Sequence, residues 1–245
     1  MRMRMNGRLP SRCFRRRRPA VSAYTRLSTR FFSRNLNKGD DSSNMAPNGP
    51  RGRLEVIMGP MFAGKTSALL ERIRVEEKTG KSVLVIKSAT DTRYSTDAIV
   101  SHDGDNRKCS AVAELKSVPE SLIKAADVVA VDEAQFFPDL YRFCRDVADG
   151  GQIVIVAGLD GDFKRERFGQ LLDIAPLADA VVKLKANCAI CGEEAPFTAR
   201  NVSDDEQTLV GGEETYTPLC RKHYVQNVIA QQQRLARAQN HDDAE

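Results

Sequence analysis

From Leu54 onward, short apolar runs alternate with longer amphipathic stretches. LEVIM (54–58), SVLVIK (82–87), DVVAVD (127–132), QIVIVAG (152–158) and AVVKLK (180–185) are predicted strands, and residues 65–78 and 138–148 predicted helices. Near-continuous Val/Ile runs with helices between them are the pattern of a parallel sheet covered on both faces, so the fold class is α/β. No internal repeat is present. After residue 186 the pattern changes to short polar pieces carrying cysteines. The expected order is a tail and linker over 1–50, an α/β domain over 51–186 and a small cysteine-bearing domain over 187–224. A short C-terminal helix running into a charged tail completes it over 225–245.

Composition refines this picture at the N-terminus. Of 245 residues, 41% are apolar, enough for a buried core, and the longest apolar runs fall far short of the ~20 residues a membrane-spanning helix needs. No membrane partner is expected. Residues 1–38 hold eleven arginines, one lysine and no acid, so removing them takes the formal charge from +4 to 4 − 12 = −8. An acidic body argues against a protein that coats nucleic acid. The Arg- and Ser-rich, acid-free leader has the composition of a mitochondrial or chloroplast transit peptide. The alternatives are a basic tail on a cytoplasmic protein, or a nuclear import signal at Arg15–Arg18. Met45, after the linker GDDSSN, is a candidate second start.

The segment GPMFAGKT (59–66) fits the phosphate-loop pattern G-x-x-x-x-G-K-[ST] between a predicted strand and a predicted helix. Glycines let backbone N–H groups close around phosphates, and the following helix adds partial positive charge. Lys65 is expected to reach the β- and γ-phosphates, and Thr66 to ligate Mg²⁺. The strand VVAVD then supplies Asp132 for the hydration shell of Mg²⁺ and Glu133 as a general base. An acidic turn after a strand is the plainer alternative. DEAQ also resembles a helicase box, yet such motors need two nucleotide-binding lobes and the chain has room for one. Two more stretches follow strands, where an open α/β sheet places its ligands: KSATDTRYS (87–95) and GLDGDFKRERFG (158–169).

Cys188-x-x-Cys191 and Cys220-x-x-His223 form two tight ligand pairs separated by a long segment. Four such ligands match a closed tetrahedral zinc site with a structural role, the competing reading being a CxxC redox pair. The intervening segment is acidic, which speaks against nucleic acid, and holds Gly211, Gly212 and Tyr216. Zinc-clamped ends around a glycine-hinged middle suggest a lid that excludes water, as a kinase must.

Taken in order, GPMFAGKT, DTRY, DEAQFFPD, LDGDFKRERFG, CAICGE, GGEETY and CRKHY resemble the zinc-containing thymidine kinases over about Gly52–Tyr224. The resemblance implies a P-loop NTPase-like (RecA-like) sheet with a zinc-bound lid, and ATP, Mg²⁺ and structural Zn²⁺. It implies transfer of the ATP γ-phosphoryl group to the 5′-OH of thymidine, with Glu133 as base. ATP and Mg²⁺ would be held by Gly59, Pro60, Met61, Phe62, Ala63, Gly64, Lys65, Thr66, Asp91, Thr92, Arg93, Asp132, Glu133, Ala134 and Gln135. Met61, Leu159, Phe163, Phe168 and Thr198 would line the thymidine pocket with Phe136 nearby. The lid residues Gln207, Thr208, Leu209, Val210 and Gly211 would read thymine through their backbone, and Tyr216 would close the pocket. Arg93 or Arg165 would neutralise phosphate charge. Zinc would sit on Cys188, Cys191, Cys220 and His223, the last being Cys in many relatives. Feedback inhibition by dTTP and a homotetramer are further expectations. The rival readings are a nucleic-acid-stimulated ATPase and a non-enzymatic zinc-ribbon module.

Overall fold

Six parallel strands form the centre of the molecule, running across the sheet as Ser110–Val112, Val83–Ser88, Val128–Asp132, Ile153–Gly158, Arg53–Met58 and Ala180–Lys183. The computed structural model describes residues 52–90, 98–100 and 106–242, all within one compact unit. The strands are β1 (Arg53–Met58), β2 (Val83–Ser88), β5 (Ser110–Val112), β6 (Val128–Asp132), β7 (Ile153–Gly158) and β8 (Ala180–Lys183), and a small hairpin of β3 (Ala98–Val100) and β4 (Asn106–Lys108) stands outside the sheet. The helices are α1 (Lys65–Lys78), α2 (Glu120–Ala125) and α3 (Leu140–Asp149). Each strand and helix predicted before residue 186 is present within two residues of its predicted limits. The short β5 and the hairpin were not predicted; three-residue pieces give too few alternations to register as a pattern.

Strand alternation explains the two-sided cover. Leu54, Val56 and Met58 of β1, Val129 and Val131 of β6, and Val154 and Val156 of β7 pack with Leu140, Phe143, Cys144 and Val147 of α3. Their neighbours Ile57, Val128, Ala130, Ile153, Ile155 and Ala157 face the other way, against Leu69, Leu70 and Ile73 of α1. Both faces of β6 and β7 are therefore apolar, which is why those strands read as unbroken Val/Ile runs. Among the described residues, no helix is long and apolar enough to cross a membrane.

Beyond the sheet lie two small antiparallel pairs: β9 (Ala186–Asn187) with β10 (Glu194–Ala195), and β11 (Phe197–Arg200) with β12 (Tyr216–Leu219). The chain between β11 and β12 has no regular secondary structure. The final helix α4 spans Arg221–Asp242, 22 residues, and is longer than the short C-terminal helix expected. It starts inside the cysteine-bearing segment, so His223 lies on its first turn.

Candidate active site

The parallel register brings three chain segments to one edge of the sheet. Met58 pairs with Gly158 across β1 and β7, and Asp132 ends β6 on the same side. Three strand exits therefore meet at this edge: the phosphate loop after β1, Glu133 after β6 and Leu159 after β7.

The loop Gly59–Gly64 turns back on itself with unusual backbone angles. Gly64 has φ 78°, and a side chain there would project into open space with no atom within 4 Å. Gly59 has φ 148°, and a Cβ would stand 2.5 Å from the Leu184 carbonyl oxygen. Only glycine fits the second position, and glycine relieves the strain at the first. Phe62 also has positive φ, at 63°. The Lys65 ammonium donates to the Pro60 carbonyl at 2.7 Å, so it lies over the loop that precedes it. Open space beside Gly64, a loop-facing ammonium and the N-terminus of α1 together fit a polyphosphate.

Thr66 links this loop to β6, its hydroxyl donating to Asp132 Oδ2 at 3.0 Å. The Glu133 backbone N–H donates to the other carboxylate oxygen, also at 3.0 Å. Asp132 is buried, and that desolvation, followed by the nearby Glu133 charge, pushes its pKa up to about 7. The Thr66 hydrogen bond and the Lys65 ammonium oppose the shift. Thr66 and Asp132 form an oxygen-rich pair of the kind Mg²⁺ prefers, and a cation there would favour the ionised carboxylate.

Glu133 adopts φ 51°, ψ 43°, a left-handed conformation that costs a non-glycine residue roughly 1–2 kcal/mol. Such strain persists where the surroundings impose it. The Glu133 carboxylate is held by Gln135, whose amide NH₂ donates to Glu133 Oε2 at 2.7 Å and whose carbonyl accepts the Leu159 N–H at 2.9 Å. Gln135 is buried. It ties the Glu133 carboxylate to the end of β7.

A cavity lies beside Glu133. Its walls include Glu133 and Gln135 together with Met61, Phe136, Leu159, Phe163, Phe168 and Thr198. The rim is Gln207, Thr208, Leu209, Val210, Gly211 and Tyr216. Every residue predicted for the thymidine pocket thus borders one cavity. Phe136 and Phe168 meet edge to face, with ring centroids 5.5 Å apart. The Met61 N–H donates to the Thr198 hydroxyl at 3.0 Å, joining the phosphate loop to β11. Thr90, Gly161 and Asp162 also border the cavity and were not predicted for it. Asp162 carried a visible signal, being the second acid of LDGDF; Thr90 carried none. Asp91, Thr92 and Arg93 lie outside the described residues.

The lid between β11 and β12 is fastened to the segment after β7. Gln207 donates from its side-chain amide to Asp162 Oδ2 at 2.8 Å and to the Arg167 carbonyl at 3.1 Å. Lys164 reaches the Asp205 carbonyl at 3.2 Å. Arg165 (φ 65°) places its guanidinium over the Tyr224 ring, 4.4 Å from the centroid, and Tyr224 donates to the Phe163 carbonyl at 2.6 Å. Tyr224 directly follows His223, so the cysteine module and the pocket wall share one helical turn. Sequence offered no signal for this brace.

Cys188, Cys191, Cys220 and His223 bring their ligand atoms within 4.8 Å of one another. His223 Nδ1 lies 3.4 Å from Cys188 Sγ and 3.2 Å from Cys220 Sγ, and the Cys191 and Cys220 sulfurs are 3.9 Å apart. A tetrahedral zinc with Zn–S of about 2.3 Å implies sulfur separations of about 3.8 Å, so the donor set fits the metal. All three cysteines are free thiols. Burial works against ionisation of Cys188, but backbone N–H groups of Cys220, Cys191 and Ile190 and the His223 ring outweigh it, bringing its pKa down to about 6. A thiol held near its thiolate form suits metal ligation.

A glycine-cradled phosphate loop, a strand-end aspartate and a lidded aromatic cavity with a carboxylate in its wall define a nucleotide-dependent phosphotransferase of the P-loop α/β class. The family model for thymidine kinase matches residues 52–224. "Thymidine kinase a" of Arabidopsis thaliana is 50% identical over 196 residues, covering 78% of this chain and 82% of its own. A rice thymidine kinase (Oryza sativa subsp. japonica) is 49% identical over 197 residues (78% and 72%). The human cytosolic thymidine kinase is 40% identical over 186 residues (76% and 79%). The chain belongs to the thymidine kinase family.

Proposed function

We propose that this protein transfers the γ-phosphoryl group of ATP to the 5′-oxygen of thymidine, giving dTMP. The observation that carries the reading is the position of Glu133. Its backbone N–H is bonded to Asp132, which is bonded to Thr66 of the phosphate loop, while its side chain borders the aromatic cavity. A carboxylate at that wall stands between the place for a triphosphate and the place for a nucleoside. It is suited to accept the proton of an attacking alcohol. Phosphoryl transfer needs little covalent help from protein; in-line positioning and charge neutralisation supply most of the catalysis. Lys65 contributes charge at the loop, and Arg165, fixed over Tyr224, or Arg93 supplies the second cation. Thr66 and Asp132 would hold Mg²⁺, whose charge would help neutralise the phosphates. The Phe136–Phe168 pair offers apolar faces to a pyrimidine, and the lid backbone at Gln207–Gly211 offers donors and acceptors for its edge. With ATP and Mg²⁺, thymidine is expected to drive ADP formation well above other nucleosides. DNA and RNA are expected to have no effect. Stimulation by a nucleic acid without any nucleoside response would favour the ATPase reading instead.

Zinc on the Cys₃His set is assigned a structural role. The module's buried cluster contains only Leu219 and Tyr224 as large side chains, beside Ala186, Cys188, Ala195 and Ala199. At about 1.5–3 kcal/mol per large apolar residue, that is too little to order the module unaided. His223→Ala is expected to lower bound zinc below one equivalent and to make the 187–224 region protease-sensitive, with thymidine phosphorylation lost. His223→Cys is expected to retain metal and activity. Full activity in a preparation verified to be zinc-free would remove the structural role.

Inhibition by dTTP and a tetrameric assembly are proposed from the family resemblance, and import into mitochondria from the leader's composition. Inhibition kinetics, light scattering and the location of a fluorescent protein fused behind residues 1–50 test them in turn.

A further inference from the structure

Arg200, at the end of β11, is almost completely buried although it carries a full charge. Its guanidinium lies 3.7 Å from the centre of the Phe163 ring and 5.3 Å from that of Tyr216. Nη1 donates to the Asp204 carbonyl (2.8 Å), Asp204 Oδ1 (3.3 Å) and the Glu206 carbonyl (2.6 Å). Nη2 donates to the Gln207 carbonyl (3.2 Å) and the Tyr216 hydroxyl (2.9 Å). That hydroxyl in turn donates to the Leu209 carbonyl at 2.7 Å. One side chain thus holds, directly or through Tyr216, the carbonyls at 204, 206, 207 and 209. Its Nε is buried without a hydrogen-bond partner.

We infer that Arg200 is a positioning residue for thymidine, shaping the lid into its binding form before the nucleoside arrives. The inference rests on reading the cavity as the thymidine site. Three observations lead to it. First, residues 201–215 are a long stretch without regular structure, and such loops do not fix their own backbone. Arg200 provides the partners that an absent helix or sheet would have supplied. Second, the geometry needs a planar fork: several N–H groups in fixed directions, with a flat face on Phe163, which lysine does not offer. Third, a buried donor left unpaired costs stability, so the arrangement serves the loop rather than the packing of the module. These hydrogen bonds from Arg200 all lie within the cysteine-bearing module, and its face rests on Phe163 of the opposite wall. The lid's ties to the opposite wall run separately, from Gln207 to Asp162 and from Lys164 to Asp205. Those ties are made by side chains other than Arg200. The cost of ordering the lid is then met in folding rather than in binding, which favours affinity.

Arg200→Lys and Tyr216→Phe separate this role from general stability. Arg200→Lys is expected to raise the KM for thymidine about tenfold or more while the KM for ATP stays within about twofold and zinc remains stoichiometric. Amide exchange across 204–211 is expected to quicken at least tenfold, with the sheet unaffected. Tyr216→Phe, which deletes one hydroxyl and leaves the ring, is expected to shift both readouts in the same direction by less. Unchanged thymidine KM in zinc-loaded Arg200→Lys, or a parallel rise in both KM values, would overturn the inference. Should Arg200→Lys fail to fold, unchanged exchange and KM in Tyr216→Phe overturn it. Exchange needs no substrate, so a wild-type protein inactive on thymidine counts against the thymidine reading, whereas unaltered 204–211 exchange in the variants counts against Arg200.

Discussion

Glu133→Gln is expected to lower thymidine turnover by about 10²–10⁴-fold while leaving ATP binding nearly intact. The substitution is close to isosteric. The residue already occupies left-handed backbone, and glutamine meets the same cost there, so the local fold is not newly strained. Its side-chain oxygen can still accept from Gln135, as Glu133 Oε2 does at 2.7 Å. The capacity to take a proton disappears. Steady-state kinetics with a separate measurement of ATP affinity distinguishes the two effects, and full kcat in the variant would mean that the proton leaves by another route.

Lys65→Ala is expected to weaken ATP binding and slow turnover together, by about 10²–10³-fold in kcat/KM for ATP. The ammonium sits 2.7 Å from the Pro60 carbonyl, within the glycine-flanked turn after β1. A cation so placed contacts phosphate in the ground state and faces growing charge at the leaving oxygen, so KM and kcat respond alike. The loop backbone should survive the change, because its form is set by Gly59 and Gly64 and by the bond from the Met61 N–H to Thr198. Initial rates over a range of ATP concentrations test this; kinetics matching the wild type would remove the phosphate-loop argument.

These expectations draw on different depths of the sequence. Lys65 and Glu133 stand in short, contiguous motifs whose spacing is tied to a mechanism, so they were visible along the chain. The pocket residues were of another kind. Nothing in the local pattern of GLDGDFKRERFG distinguishes Phe163 and Phe168 from ordinary core, and only the ordered family resemblance placed them. Gln135 was read from its closeness to Asp132 alone, and its bonds to Glu133 and to the Leu159 N–H were not visible in the sequence. Arg200 and Tyr224 were missed altogether. Their roles depend on contacts with Phe163, Tyr216 and the lid carbonyls, which lie from a few to more than sixty residues away along the chain.

By itself, the sequence determined the α/β layering, the glycine-flanked loop after β1 and the two ligand pairs of a Cys/His cluster that could hold a metal. Each is a local property: side-chain alternation along a strand, glycine at a turn, or two ligands one turn apart. Only the tertiary structure decided that Glu133 joins the Asp132–Thr66 pair to an aromatic cavity, that a buried arginine bonds the carbonyls of the 204–207 loop, and that the first turn of α4 joins the Cys/His cluster to the cavity wall. Such features arise where separate segments meet in space, and the pairing of distant side chains leaves no periodic trace in a single chain.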